Sequence, residues 1–255
     1  MLAIERRKMI LAMLEVNGSA MVNDLSVQLG VTEETIRRDL TQLEDERKLR
    51  RVHGGAYLVR GSARSVPVQL RRRFLMEEKK RIARRSLELI KERDSIMLDC
   101  STTALALAQE IKDAGRAVTV ITNSFDIVQV LGGCALVCVI CTGGQLCAET
   151  AAFNGHMAYE NLARFYADKA FISCTSAHLE FGLTDHVESE AKMRETMLAH
   201  AKMRILIVDN TKFDSVATHK LVGLGALDCV ITDQALDEAW NEELRRLKVD
   251  ILVVP

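Results

Sequence analysis

Residues 31–43, Val-Thr-Glu-Glu-Thr-Ile-Arg-Arg-Asp-Leu-Thr-Gln-Leu, decide how the rest of the chain is read. Thr32 is a helix-capping type, because its hydroxyl can accept from an otherwise unpaired amide of the first turn. Ile36, Leu40 and Leu43 then recur at i, i+4 and i+7 and paint one apolar stripe. Glu34, Arg38 and Thr41 point away from that stripe, with Thr35, Arg37 and Gln42 at its shoulders. A helix with its back in a core and arginines outside suits the DNA major groove. There a guanidinium can pair bidentately with guanine while neighbouring side chains hold phosphates. An ordinary amphipathic surface helix would share the pattern, so the flanking residues have to decide.

They point one way. Ile4–Leu14 reads as a first helix lined by Ile4, Met9, Ile10, Met13 and Leu14 and ended by Asn17-Gly18. Val22–Leu29 reads as a second, with Val22, Leu25 and Leu29 inward and Gly30 as its stop. Three short helices with a tight turn between the last two describe a helix-turn-helix. After them, Arg50–Val52 and Ala56–Val59 flank His53-Gly54-Gly55, a small hairpin whose glycines supply positive φ. A basic hairpin beside a recognition helix is a wing, and it would bring Arg50 and Arg51 near backbone phosphate. The expected DNA contacts are therefore Thr32, Glu34, Thr35, Arg37, Arg38 and Thr41 on the helix, with Arg50, Arg51 and His53 on the wing.

The run Val31-Thr-Glu-Glu-Thr-Ile-Arg-Arg-Asp-Leu, followed by Leu43-Glu and then Arg51-Val-His-Gly-Gly-Ala, resembles the N-terminal signature of the DeoR family of bacterial transcription regulators. One position departs from that family: Arg47 stands where glycine commonly closes the recognition helix. Either Arg47 takes up a left-handed cap, at a cost of about 1 kcal/mol, or the helix ends differently.

A chain of 255 residues has room for two cores. The expected division is a winged helix-turn-helix over 1–59, a linker over 60–76 and an α/β domain over 77–255. Gly61-Ser62-Ala63, Ser65-Val66-Pro67 and Arg71-Arg72-Arg73 carry turn formers and charge without a period, which favours a solvated connector. Net charge of −1 hides an asymmetry: residues 1–76 hold 14 Lys and Arg against 9 Asp and Glu, and the remainder 20 against 26. The basic head, not the acidic body, favours a polyanion. The longest apolar runs are short and Glu5, Arg6, Arg7 and Lys8 interrupt the start, so neither a membrane span nor an export signal is expected and the location is read as cytoplasmic. Seven cysteines are read as reduced. Cys138 and Cys141 have CxxC spacing, but within an apparently buried strand they would face opposite ways, so small buried thiols are expected and no metal or cofactor.

From Glu78 onward strands and helices alternate. Strands are expected near 95–98, 117–121, 135–141, 170–173, 205–208, 229–231 and 251–254. Helices are expected from 78 and near 104–111, 125–131, 157–163, 190–200 and 238–247. That order implies an α/β domain with a mainly parallel sheet covered on both faces, whose ligands bind at the carboxyl ends of strands. Polar clusters stand there: Asp99-Cys-Ser-Thr-Thr, Thr122-Asn-Ser, Thr142-Gly-Gly and Asp209-Asn-Thr-Lys. Ser101, Thr102 and Thr103 would offer hydroxyls and helix-start amides to a phosphate. Gly143 and Gly144 permit close backbone approach, Lys212 supplies a cation, and Asp99 and Asn123 could bond sugar hydroxyls. Simple helix capping would explain any one cluster; four at successive strand ends favour a shared site.

The resemblance to DeoR regulators continues here. It implies an effector domain related to ribose-5-phosphate isomerase and glucosamine-6-phosphate deaminase that senses phosphorylated sugars or related metabolites. Matching positions are Asp99, Thr102-Thr103, Thr122-Asn123-Ser124, Gly143-Gly144, Gly155, Asp168, Phe171, Gly182, Glu190, Arg194, Asp209 with Lys212, and Asp233. Ser101 stands where the family often has glycine, and Arg194 where it usually has lysine, which keeps the charge but changes donor geometry. The expectation is a sugar-phosphate-responsive regulator, most simply a repressor, binding double-stranded operator DNA as a homodimer or larger homo-oligomer. The rival is a sugar-phosphate isomerase or deaminase with an accessory DNA domain, for which Asp99, His156, His178, His186, Glu188 and Glu190 are candidate acid/base groups. A constitutive DNA binder with a vestigial second domain is a third reading.

Overall fold

The computed structural model describes residues 2–17, 19–52, 54–57, 71–72 and 74–254. They form two compact units, Met1–Phe74 and Leu75–Pro255.

The first unit contains α1 (Ala3–Asn17), β1 (Ser19–Met21), α2 (Val22–Leu29), α3 (Glu33–Asp45), β2 (Arg50–Val52) and β3 (Gly55–Tyr57). Its core joins Ile10 and Leu14 of α1 to Leu25 of α2 and to Ile36, Leu40 and Leu43 of α3. Two sequence expectations for α1 need correction. Ile4 and Met9 are 63% and 41% exposed, and the inward stripe is instead Arg6, Ile10 and Leu14. Arg6 can take a core position because Asp39 of α3 pairs with it, their side chains being only 10% and 7% exposed. The hairpin is joined by β1, which lies beside β3 in the order β1-β3-β2. Three residues carry no readable period, so β1 exists only through its distant partner. Gly55 is required for that contact, because a Cβ there would stand 2.5 Å from the Ala20 carbonyl oxygen.

Thr32 caps α3 as expected, its hydroxyl accepting from Thr35 N at 3.3 Å. At the other end Arg47 adopts a left-handed conformation with φ 56°. Lys48 N then reaches back to Leu43 O at 2.9 Å, closing the helix in the way a glycine would. Of the two endings open to the sequence, the chain uses the left-handed one, at a strain of about 1 kcal/mol. His53, Leu58, Val59 and linker positions 60–70 lie outside the described residues.

The second unit runs α4 (Met76–Glu88), β4 (Ser95–Leu98), α5 (Thr102–Asp113), β5 (Val118–Thr122), α6 (Phe125–Leu131), β6 (Val137–Cys141), β7 (Gln145–Cys147), β8 (Ala152–Asn154), α7 (His156–Leu162), β9 (Ala167–Ile172), β10 (Ser176–His178), β11 (Gly182–Asp185), α8 (Glu188–Ala199), β12 (Ala201–Ile207), β13 (His219–Lys220), β14 (Cys229–Thr232), α9 (Glu238–Arg246) and β15 (Asp250–Val253). The seven strands expected from the sequence form one parallel sheet in the order β15-β14-β12-β9-β4-β5-β6. Two small antiparallel additions, β7-β8 and β10-β11-β13, were not expected.

Successive strand residues serve opposite cores. Ile96 and Leu98 of β4 join α4, α5 and α6 on one face. Met97, with Ala170 and Ile172 of β9 and Leu206 of β12, joins α7, α8 and α9 on the other. Burial on both faces explains why these strands read as continuous apolar runs. One expectation fails at the margin. β6 is the edge strand, with its side chains half-buried or exposed, and Cys138 and Cys141 are exposed thiols, not buried ones. An apolar run tells that a strand exists but not where it stands in the sheet.

Candidate functional site

On the first unit, α3 turns Ile36, Asp39, Leu40 and Leu43 inward. The opposite face carries Arg38, whose side chain is 84% exposed and only 4.0 Å from Glu34, a loose contact. Arg37 is half-exposed and held by Glu33 at 2.8 Å. Thr35 is engaged with the Thr32 hydroxyl at the cap, at 3.0 Å. Thr41 donates to Arg37 O at 2.8 Å and accepts from Arg51 Nη1. Arg51 also anchors β2 to α3 through its backbone N–H, which donates to Glu44 at 2.9 Å. The structure therefore places Arg51 against the recognition helix, with Arg50 exposed one residue earlier. Among the expected contacts, Arg38 and Arg50 are the cations most open to an approaching duplex.

On the second unit the strand ends converge on Arg194, a residue of α8 that is 3% exposed. Its Nε donates to Asp99 Oδ2 at 2.7 Å, its Nη1 stands 2.8 Å from Asp185 Oδ2, and its Nη2 stands 3.1 Å from Glu190 Oε2. Burial works against the guanidinium charge, but Asp185, Asp99 and Glu190 together outweigh it and hold its pKa well above the ordinary value. Three carboxylates around one cation leave local negative charge, and Glu190 Oε1 has no hydrogen-bond partner among the described residues.

Asp99 is fully engaged. Ser101 N and Oγ donate to its Oδ1 at 3.2 and 2.6 Å, and Ser173 N donates to its Oδ2 at 3.2 Å. Ser101 also caps α5 by accepting from Ala104 N at 3.1 Å. Thr103 is buried, whereas Thr102 is half-buried at the first position of α5. Thr122 Oγ1 donates to Leu98 O at 2.7 Å and Ser124 Oγ caps α6. Asn123 Nδ2 donates to Phe153 O at 3.2 Å, but its Oδ1 is buried without a partner among the described residues. Asp209 caps the 3-10 turn Asn210–Lys212 by accepting from Thr211. Lys212, half-buried at the end of that turn, makes no ion pair among the described residues.

Not all of these residues reach one small ligand. Adjacent strands lie about 4.8 Å apart, so the ends of β12 and β6 are separated by about 19 Å, more than a sugar phosphate spans. The ends of β12, β9, β4 and β5 are the compact group. Gly143 has open space around it, but Gly144 serves packing: a Cβ there would meet Asn154 O at 2.7 Å and the Ala158 side chain at 2.9 Å. Sequence reasoning missed Asp185, Ser173 and Cys174. Asp185 ends β11 and also accepts from Thr175 N and Oγ1 at 2.9 and 2.8 Å. Burial, then the Asp185 carboxylate, pushes the Cys174 thiol up, which leaves it a small apolar filler. A terminal Thr-Asp after an apolar pair was the available signal for Asp185.

Of the candidate acid/base groups, Asp99 and Glu190 meet at Arg194, where both are taken up by its guanidinium. His156 is exposed beside Glu160, His178 stacks on Phe181, and Glu188 is exposed. Among the described residues no group of His, Cys, Asp and Glu has the arrangement of a metal site, and no helix is long and apolar enough to cross a membrane.

Residues 6–61 match the DeoR-like helix-turn-helix domain, and residues 75–234 match the DeoR C terminal sensor domain. The chain belongs to the DeoR family. It is 34% identical over its whole length to an uncharacterized HTH-type transcriptional regulator, YulB, of Bacillus subtilis, covering 98% of that protein. It is 30% identical over 98% of its length to a putative aga operon transcriptional repressor of Escherichia coli O157:H7, covering 93% of it. With the lactose phosphotransferase system repressor of Lactococcus lactis it shares 32% identity over 93% of its length and 94% of that chain. A structure of ribose 5-phosphate isomerase A from Methanocaldococcus jannaschii is similar over 54% of each chain, at 16% identity and a TM-score of 0.41. As a DeoR protein the chain is a DNA-binding transcriptional regulator with a sensor domain, and the reading of it as an isomerase or deaminase gives way.

Proposed function

We propose that this DeoR regulator represses a sugar-utilisation operon and that a phosphorylated sugar governs its grip on the operator. Relatives named as repressors of the aga operon and of a lactose phosphotransferase system support the first half. The observation that carries the second is at the strand ends. Buried, unpartnered acceptors on Glu190 and Asn123 call for hydroxyl donors, while Lys212 is a cation without an ion-pair partner among the described residues. A polyol bearing one anionic group satisfies both. Ligand binding acts on DNA only through a difference in affinity between two states of the protein.

The test is operator affinity of the full chain, measured by fluorescence anisotropy against a panel of sugar phosphates, their parent sugars and inorganic phosphate. One sugar phosphate should weaken operator binding by about 5- to 150-fold, the usual range of such coupling, while its parent sugar does not. A sugar phosphate that raises the melting temperature yet leaves operator affinity untouched would refute the proposal.

On the DNA side, Arg38 is read as a base contact. Arg38→Ala is expected to cost about 1–3 kcal/mol of operator binding and to relax preference at one operator position. An even loss across all sequences, with a flatter salt dependence, would make it a phosphate contact instead.

A further inference from the structure

The two margins of the seven-stranded sheet differ in chemistry. β15 contains Asp250 and follows Lys248 closely. Charges of this kind keep the unpaired backbone of an edge strand from joining another sheet. β6, at the opposite margin, has no such guard. It lies within Ile127–Ala148, 22 consecutive residues free of Asp, Glu, Lys and Arg in a chain that is 27% charged. No other uncharged run in the sequence reaches half that length, and this one contains no proline. Nor is the strand bulged, since Val118–Thr122 and Val137–Cys141 pair residue for residue.

Backbone direction along β6 follows from its two ends. Leu136 O accepts from Val118 N at 3.3 Å and Thr142 N donates to Thr122 O at 3.0 Å. Even-numbered residues therefore bond to β5, and Val139 and Cys141 turn their N–H and C=O groups away from the sheet. Along this open edge stand the exposed thiols of Cys138 and Cys141, and Leu136, directly before the strand, is 59% exposed.

We propose that β6 pairs antiparallel with β6 of a second copy of this chain, about a two-fold axis at Val139, joining two sheets into one. An isologous pairing sets each strand against its own sequence, so any charge near the axis would meet its like. An uncharged edge is what such self-pairing requires, whereas a partner of different sequence places no such demand. With the axis at Val139, Val139 exchanges both bonds with its mate and Cys141 donates to Val137, giving about four backbone bonds. The inference concerns assembly alone and does not depend on which effector the sensor binds.

Cys138 provides the test, because its side chain is exposed and would lie diagonal to its mate on one face of the joined sheet. The full chain is sized by sedimentation velocity and light scattering at low micromolar concentration, with circular dichroism as the check on folding. Wild type should associate. Cys138→Lys and Cys138→Glu should each associate at least tenfold more weakly, and an equimolar mixture of the two should recover wild-type assembly. Cys141→Pro, which removes an outward N–H and no bond to β5, should also dissociate without loss of helical signal. A monomeric wild type, single-charge variants that assemble like wild type, or a mixture no better than its components would each overturn the proposal.

Discussion

Replacing Arg194 by methionine is expected to lower the unfolding free energy of the sensor unit by about 3–5 kcal/mol, enough to unfold much of the population. The guanidinium is buried and faces Asp99, Asp185 and Glu190 at 2.7, 2.8 and 3.1 Å, and methionine would leave three carboxylates together with nothing to offset them. Trp240 makes the measurement clean, because it is the sole tryptophan and lies in the core of this unit, 2% exposed. Urea titration followed by its fluorescence should show the midpoint collapse near neutral pH. Arg194→Lys should fall between the two, since one ammonium keeps the charge but cannot reach three carboxylates in a planar fork. A methionine variant as stable as wild type would show that the cluster contributes nothing to the fold.

The second large effect is expected at Asp39. Asp39→Ala strands the Arg6 guanidinium in the core of the first unit, a loss of about 3–5 kcal/mol. A unit of this size has little stability to spare, so operator binding should disappear although Asp39, at 5% exposure, is no candidate for touching DNA. The melting of the second unit, read at Trp240, should be unchanged. The double variant Arg6→Met, Asp39→Leu replaces both charges with apolar groups and should recover most of the fold and the binding. Recovery failing in a well-folded double variant would mean that the pair does something for recognition beyond holding α1 against α3.

These two clusters also mark where the sequence was hardest to read. The seven main strands were legible because two-sided burial writes itself as apolar runs, and Phe125–Leu131 was bounded correctly because Ser124 and Gly132 flank it. The recognition helix was legible for the same local reasons. Arg6 was not, because a charged residue enters a core only when a partner meets it, and Asp39 lies 33 positions away. Arg194 and Asp99 are 95 positions apart, so no spacing rule connects them, and Asp185 was invisible until β11 brought it to the same place. Strand order was equally hidden, and with it the exposure of β6. The short strands β1, β7 and β10 have too few residues to show a period; each is defined by what it pairs with.

The alternation of β4 between its two cores has a consequence for length. Ile96 and Leu98 turn to the side of α4 and α5 and Met97 to the side of α8, and Asp99 then falls in step with Met97, toward Arg194. One residue inserted between Ser95 and Leu98 would swing the carboxylate beneath the opposite helices, its composition intact and its role gone. Variation in this part of the chain must therefore come by exchange of side chains, with gains and losses of residues left to the connections outside the sheet: parity, as much as charge, keeps Asp99 in its post.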